Sequence, residues 1–81
     1  MKRRIHILYF AALRDERGKS AETVNTICRT PRQLYSELKA AYRFSLPEAV
    51  LGIAINGEFR SWDAPIQDSD TVVFLPPVSG G

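Results

Sequence analysis

One segment of this chain carries a helical repeat. Leu34, Leu38, Ala41 and Tyr42 recur at i, i+4, i+7 and i+8, one face of an α-helix. The residues before it spell out a helix start. Thr30 caps, Pro31 takes the first helical position, where its missing N–H costs nothing, and Gln33 is placed to close a capping box. Pro47 lies beyond the helix, which is expected to end near Arg43. A lone amphipathic helix has to bury its stripe against another element, and its neighbours read as strands.

Arg4 to Phe10 is rich in β-branched and aromatic residues and reads as the first strand, with Ile5, Ile7 and Tyr9 on one face and His6, Leu8 and Phe10 on the other. Asp15-Glu16-Arg17-Gly18 is expected to be a turn, with Lys19 to Ile27 returning as the second strand of a hairpin. After the helix, Gly52 to Asn56 reads as a third strand. Asn56-Gly57 is a strong hairpin signal, because both residues tolerate positive φ. Glu58-Phe59-Arg60 opens a fourth strand, Ala64 to Asp70 is a loop, and Thr71 to Leu75 is the last strand. The expected fold is α+β: a mixed sheet of about five strands with one main helix packed on one face, the β-grasp arrangement. The domain is expected over 1–76, with 77–81 as a flexible Gly-Gly tail.

At 81 residues there is room for one small core. An apolar share of 44% and a charged share of 25% are ordinary for a globular chain. The single cysteine, Cys28, cannot form an internal disulfide, and no Cys/His cluster offers a metal site; a reducing, cytoplasmic compartment is expected. Met1-Lys2-Arg3-Arg4 before apolar residues has the outline of a signal peptide, but Arg14 to Arg17 cuts the apolar run and no small-residue cleavage site follows. No stretch is long enough to cross a membrane. A net charge of +2 with scattered basic residues does not describe a nucleic-acid binder. All eleven basic residues lie at or before Arg60, and Asp63, Asp68 and Asp70 follow, so the end of the chain is expected to present an acidic surface to a basic partner.

The side chains make a poor inventory for an ordinary enzyme. His6 has no sequence neighbour to complete a triad and reads as structural. Cys28 precedes the helix, where a thiol pKa can fall, yet a plain, partly buried cysteine is the better reading. Asp68-Ser69-Asp70 lacks the remaining ligands of a calcium loop, and no glycine-rich phosphate loop is present. What remains is the end of the chain, Phe74-Leu75-Pro76-Pro77-Val78-Ser79-Gly80-Gly81. Gly80 and Gly81 have no Cβ, so they can thread a narrow channel and bring the last carbonyl close to another molecule. Pro76 and Pro77 favour an extended stem, which lowers the entropy lost on docking. From Pro77 to Gly81 the chain can reach about 16 Å.

These residues resemble the small, sulfur-carrying subunit of molybdopterin synthase, within the ubiquitin-like carriers. The resemblance spans the chain: Leu8-Tyr9-Phe10-Ala11 followed by Arg14, the Asn56-Gly57 turn, Asp68-x-Asp70-x-Val72, and above all the Pro76-Pro77-Val78-Ser79-Gly80-Gly81 ending. Ser69 departs from the family, which often has glycine there, and puts the turn geometry in question.

The resemblance implies that a ubiquitin-activating-type enzyme adenylates Gly81 with ATP and magnesium, and that a sulfur donor converts it to a thiocarboxylate, with Gly80 giving access. The larger synthase subunit then receives sulfur for cyclic pyranopterin monophosphate, in an assembly of two small and two large subunits. The chain itself is a sulfur donor with no enzyme activity alone, and it binds no cofactor, metal, nucleic acid or membrane. The partner interface implied comprises Phe10, Arg14, Phe59, Leu75, Pro76, Pro77, Val78 and Ser79. Two alternatives stay open, because a Gly-Gly end is shared with them: a carrier for thiamine or another sulfur pathway, and a modifier conjugated to lysines.

Overall fold

The computed structural model describes residues 1–77. Its elements run β1 (Arg3–Tyr9), α1 (Ala11–Arg17), β2 (Ala21–Thr26), α2 (Pro31–Tyr42), a 3₁₀ turn (Glu48–Val50), β3 (Gly52–Ile55), β4 (Glu58–Phe59) and β5 (Thr71–Leu75). The strands form one mixed sheet in the order β2-β1-β5-β3-β4. The two central strands, β1 and β5, are parallel, and the other three pairings are antiparallel. This is the β-grasp topology expected from the sequence.

β1 and β5 bury alternate residues, β3 buries Ile53, Ala54 and Ile55, and both residues of β4 are exposed. Ile5, Ile7 and Tyr9 of β1, Val72 and Phe74 of β5, and Ile53 and Ile55 of β3 lie in the core with Leu34, Tyr35 and Leu38 of α2. Tyr35 is the aromatic centre, its ring 5.9 Å from Phe44, 5.7 Å from Trp62 and 5.1 Å from Phe74. Its hydroxyl donates to the Leu46 carbonyl at 2.6 Å, so the one polar atom is satisfied. The α2 start follows the expected chemistry with one change. Thr30 Oγ1 accepts from Gln33 N–H at 3.2 Å, whereas Gln33 Oε1 reaches past the cap to accept from Arg29 N–H at 2.7 Å. At the other end Arg43 turns left-handed, φ 56°, and its N–H bonds to the Lys39 carbonyl.

The Asp15-to-Gly18 turn is corrected: these residues complete a second helix, α1, and its C-terminal closure. Gly18 at φ 82° donates its N–H to the Arg14 carbonyl, the left-handed stop for which glycine has no steric penalty. Leu13 anchors α1 as its one buried residue. Arg17 ties the helix end to β2. Its guanidinium donates to both oxygens of Glu22, at 2.9 and 2.8 Å, and lies 3.8 Å from the Tyr42 ring centroid, while Tyr9 O–H donates to the same carboxylate. Glu22 thus stays below the usual carboxylate range, chiefly through Arg17. The β1–β2 connection is therefore a helical crossover clamped by an ion pair rather than a tight hairpin.

Candidate functional site

The strand register defines the sheet face that neither helix covers. Side chains of paired residues project on the same side, so Ala21, Leu8, Val73, Ala54 and Phe59 form one row across all five strands. Leu8 and Phe59 are three strand spacings apart, about 14 Å. The next row toward the end of β5 holds Leu75 opposite Gly52, and Phe10, extended at φ −130°, follows Tyr9 alongside it. In the opposite direction the face turns polar, with Thr23, His6 and Thr71 in one row and Arg4 beside Asn25 in another. The uncovered face is therefore graded, and its apolar half lies where β5 delivers the chain to Pro76 and Pro77.

Phe59 is 82% exposed and Phe10 46% exposed, while Leu8, Val73 and Leu75 are half-buried between them. Exposed aromatic rings on a chain this small are costly unless something covers them. Arg14 stands exposed on α1, with its Nε 3.7 Å from Asp15 in a loose surface pair. Pro76 is half-buried and Pro77 exposed. Val78, Ser79, Gly80 and Gly81 lie outside the described residues. Leu8, Val73 and Ala54 were absent from the expected interface set. Alternation along β1 and β5 carries the signal for the first two, and only the register reveals Ala54.

The residues set aside as structural have structural roles here. His6 Nδ1 lies 2.8 Å from Thr23 Oγ1. Cys28 is buried and its thiol donates to Glu37 at 3.0 Å; burial, with Glu37 beside it, pushes the thiol pKa up, away from a reactive thiolate. Asp68 accepts from Arg4 N–H, and Asp70 accepts from Asn56 Nδ2 and Gln67 N–H, so both pin the start of β5. Asp63 is held by Arg32. The expected acidic surface at the tail is therefore corrected: Asp68 and Asp70 sit at the opposite end of a five-residue strand, with Asp70 about 20 Å from Pro76, and serve the fold. Among the described residues, no group of three or more His, Cys, Asp and Glu is arranged to hold a metal ion, and no helix is long and apolar enough to cross a membrane.

A five-stranded β-grasp sheet, with an uncovered apolar face converging on the outgoing C-terminal strand, defines a small protein of the ubiquitin-like class. Within that class the chain belongs to the ThiS family, whose model matches residues 7–81. It is 34% identical over 80 residues to the molybdopterin synthase sulfur carrier subunit of Escherichia coli, covering 95% of this chain and 99% of that one. A solved structure of a putative molybdopterin converting factor subunit 1 from Pyrococcus furiosus superposes with a TM-score of 0.78 at 29% identity, over 94% of this chain and 99% of that one. The fold also matches a chain in a complex of subunits 1 and 2 of molybdopterin-converting factor from Helicobacter pylori, with a TM-score of 0.65 at 22% identity over 96% and 99% of the two chains. The resemblance to the molybdopterin synthase small subunits read from the sequence is thus shown along nearly the whole chain.

Proposed function

We propose that this chain is the sulfur-carrier subunit of a molybdopterin synthase, working in the cytoplasm. The observation that carries the proposal is the 34% identity across 99% of the Escherichia coli carrier subunit, joined to the Pro-Pro-Val-Ser-Gly-Gly ending. A free C-terminal carboxylate has a pKa near ~3.5 and is a poor electrophile as the anion. Adenylation of Gly81 by a ubiquitin-activating-type enzyme, using ATP and magnesium, makes that carbon reactive. The outer sulfur of a persulfide donor then displaces AMP, and a thiol reductant cleaves the acyl disulfide so formed, releasing the donor and leaving a thiocarboxylate, a soft nucleophile. In the larger subunit the sulfur attacks cyclic pyranopterin monophosphate, water hydrolyses the resulting thioester and returns the Gly81 carboxylate, and two such transfers supply the dithiolene sulfurs. The small subunit delivers and positions; its partners hold the catalytic groups.

The graded sheet face supports the docking half of the reading. Phe10, Phe59 and Leu75, with Leu8 and Val73 between them and Arg14 at the edge, form the surface proposed to seat on the large subunit and the activating enzyme. Such a surface is continuous with β5, so covering it aims the Pro76-Pro77 stem into the partner's channel. The test is to give the thiocarboxylated protein to a molybdopterin synthase large subunit with the pyranopterin precursor, and separately to a thiazole synthase with its substrates. Dithiolene in the first mixture is expected, weakened about tenfold when both prolines are replaced by glycine, since the two prolines together spare about 1–2 kcal/mol of ordering cost. Sulfur found only in the thiazole product overturns the assignment.

A further inference from the structure

The sheet has a second unfilled feature, on the side away from β5. Among the described residues β2 is an edge strand, paired with β1 alone. The Tyr9 N–H to Ser20 carbonyl bond sets the phase of this ladder. Glu22, Val24 and Thr26 therefore turn their backbone groups toward β1, and Ala21, Thr23 and Asn25 turn theirs outward. Among the described residues none of those three has a backbone partner outside the ladder. Edges are usually blunted by lysine, proline or a bulge, and β2 has no lysine, arginine or proline. Its one charge, Glu22, is held by Arg17 and Tyr9.

This edge runs into a groove of about 670 Å³, with Ile27, Cys28 and Arg29 on one wall and Ser36, Glu37 and Ala40 of α2 on the other. Ile27 is 66% exposed at its mouth. The charges along the edge do not cancel. Glu22 is ion-paired with Arg17, whereas Glu37 on the groove wall accepts only from the neutral Cys28 thiol, so the positive excess is confined to Lys19 and Arg29 at the two ends of the edge. Lys19 stands exposed at one end of β2, and among the described residues it reaches only the shared Glu22, at 4.0 Å. Arg29 stands exposed beyond the other end, and its guanidinium has no ion-pair or hydrogen-bond partner among the described residues.

We propose that the β2 edge and the adjoining groove bind an extended peptide segment of a partner protein. The segment adds as a sixth strand, lowers an apolar side chain beside Ile27, and sets acidic residues against Lys19 and Arg29. Backbone bonds to Ala21, Thr23 and Asn25 supply affinity, while the groove and the two cations supply specificity. The six residues of β2 offer about 20 Å of edge, enough for a peptide of that length. Ala21, Thr23 and Asn25 end the rows of the graded face, but Ile27, Arg29 and the groove lie beyond β2, away from the Phe10, Phe59 and Leu75 surface.

The experiment titrates the full-length protein with a synthetic nonapeptide, five alternating valines and threonines flanked by two aspartates at each end. Binding is read by fluorescence anisotropy and by amide hydrogen exchange. The expected result is saturable binding that weakens as salt rises, with slowed exchange at Thr23 and Asn25. Ile27→Asp and Arg29→Glu should each weaken it about tenfold; both side chains are exposed, so the fold survives either change. Sulfur loading at Gly81 should be unchanged in Ile27→Asp, which separates a failure here from a failure of the carrier reading. Equal binding of a lysine-flanked peptide, or protection confined to the Leu8–Phe59 face, overturns the proposal. So does peptide-independent protection that rises with protein concentration, which would assign the edge to a second copy of the chain.

Discussion

Replacing Phe59 by alanine separates a docking surface from a core. Phe59 is 82% exposed in the isolated chain, so roughly a fifth of its surface is covered. Burying a whole phenylalanine side chain is worth about 1.5–3 kcal/mol. The folded monomer should therefore lose no more than about 0.6 kcal/mol, a fall in Tm below about 5 °C for a domain of this size. If the large subunit covers the remaining four-fifths, docking should lose about 1.2–2.4 kcal/mol, an eight- to sixty-fold rise in Kd (about). Phe74 is the contrasting position on β5, fully buried on the helix side, where alanine should cost about 3–5 kcal/mol and unfold much of the protein. Thermal melts followed by circular dichroism and titration calorimetry against the large subunit give both numbers for Phe59→Ala. A Tm drop above about 10 °C with unchanged affinity would refute the reasoning, because it would place Phe59 in a second core.

The Glu22 clamp predicts a dependence on acid. Its pKa is depressed in the folded protein, so its contribution is present above about pH 4.5 and is lost as pH falls through the folded value. Urea titrations across this range should show Glu22→Gln less stable by about 1–3 kcal/mol at pH 7 and flatter toward acid; an unchanged acid slope counts against the clamp. In alkali the sign reverses: burial pushes Tyr35 up to about 12 and raises Tyr9 further, so stability should fall as pH rises above about 10. Ser69 sits at φ 73°, and Ser69→Gly should gain about 0.5–1 kcal/mol in chemical denaturation, with a loss arguing that its weak 3.4 Å bond to Asp68 matters more.

The fold was legible where local chemistry and tertiary packing agree. Thr30, Pro31 and Gln33 mark the α2 start without any knowledge of the sheet, and alternation in β1 separates Ile5, Ile7 and Tyr9 from the outer face. α1 was missed because its seven residues contain one core side chain, too few for a period, and its charged end with Gly18 mimics a turn. Its signal was the helix-forming Ala11-Ala12-Leu13-Arg14 run closed by a left-handed glycine. The Ser69 departure was informative in a physical sense, since the position does take the positive φ that glycine would accept freely. The docking residues were only half legible. Period-two reading shows that Leu8 and Val73 share a face, but register across β3 and β4 is what brings Ala54 and Phe59 into their row. The acidic end misled because composition along the chain says nothing of the strand length separating Asp70 from Pro76.

The central claim is that Gly81 becomes a thiocarboxylate. The direct measurement is the intact mass of this chain after coexpression with a ubiquitin-activating-type enzyme and a sulfur donor, with fragmentation to locate any change. The expected result is a gain equal to the replacement of one oxygen by sulfur, confined to Gly81. The gain should disappear when Gly81 is deleted or one residue is appended, in variants that still fold. A thiocarboxylate on the extended protein without trimming, or isopeptide adducts to lysines in place of the free thiocarboxylate, would contradict the account.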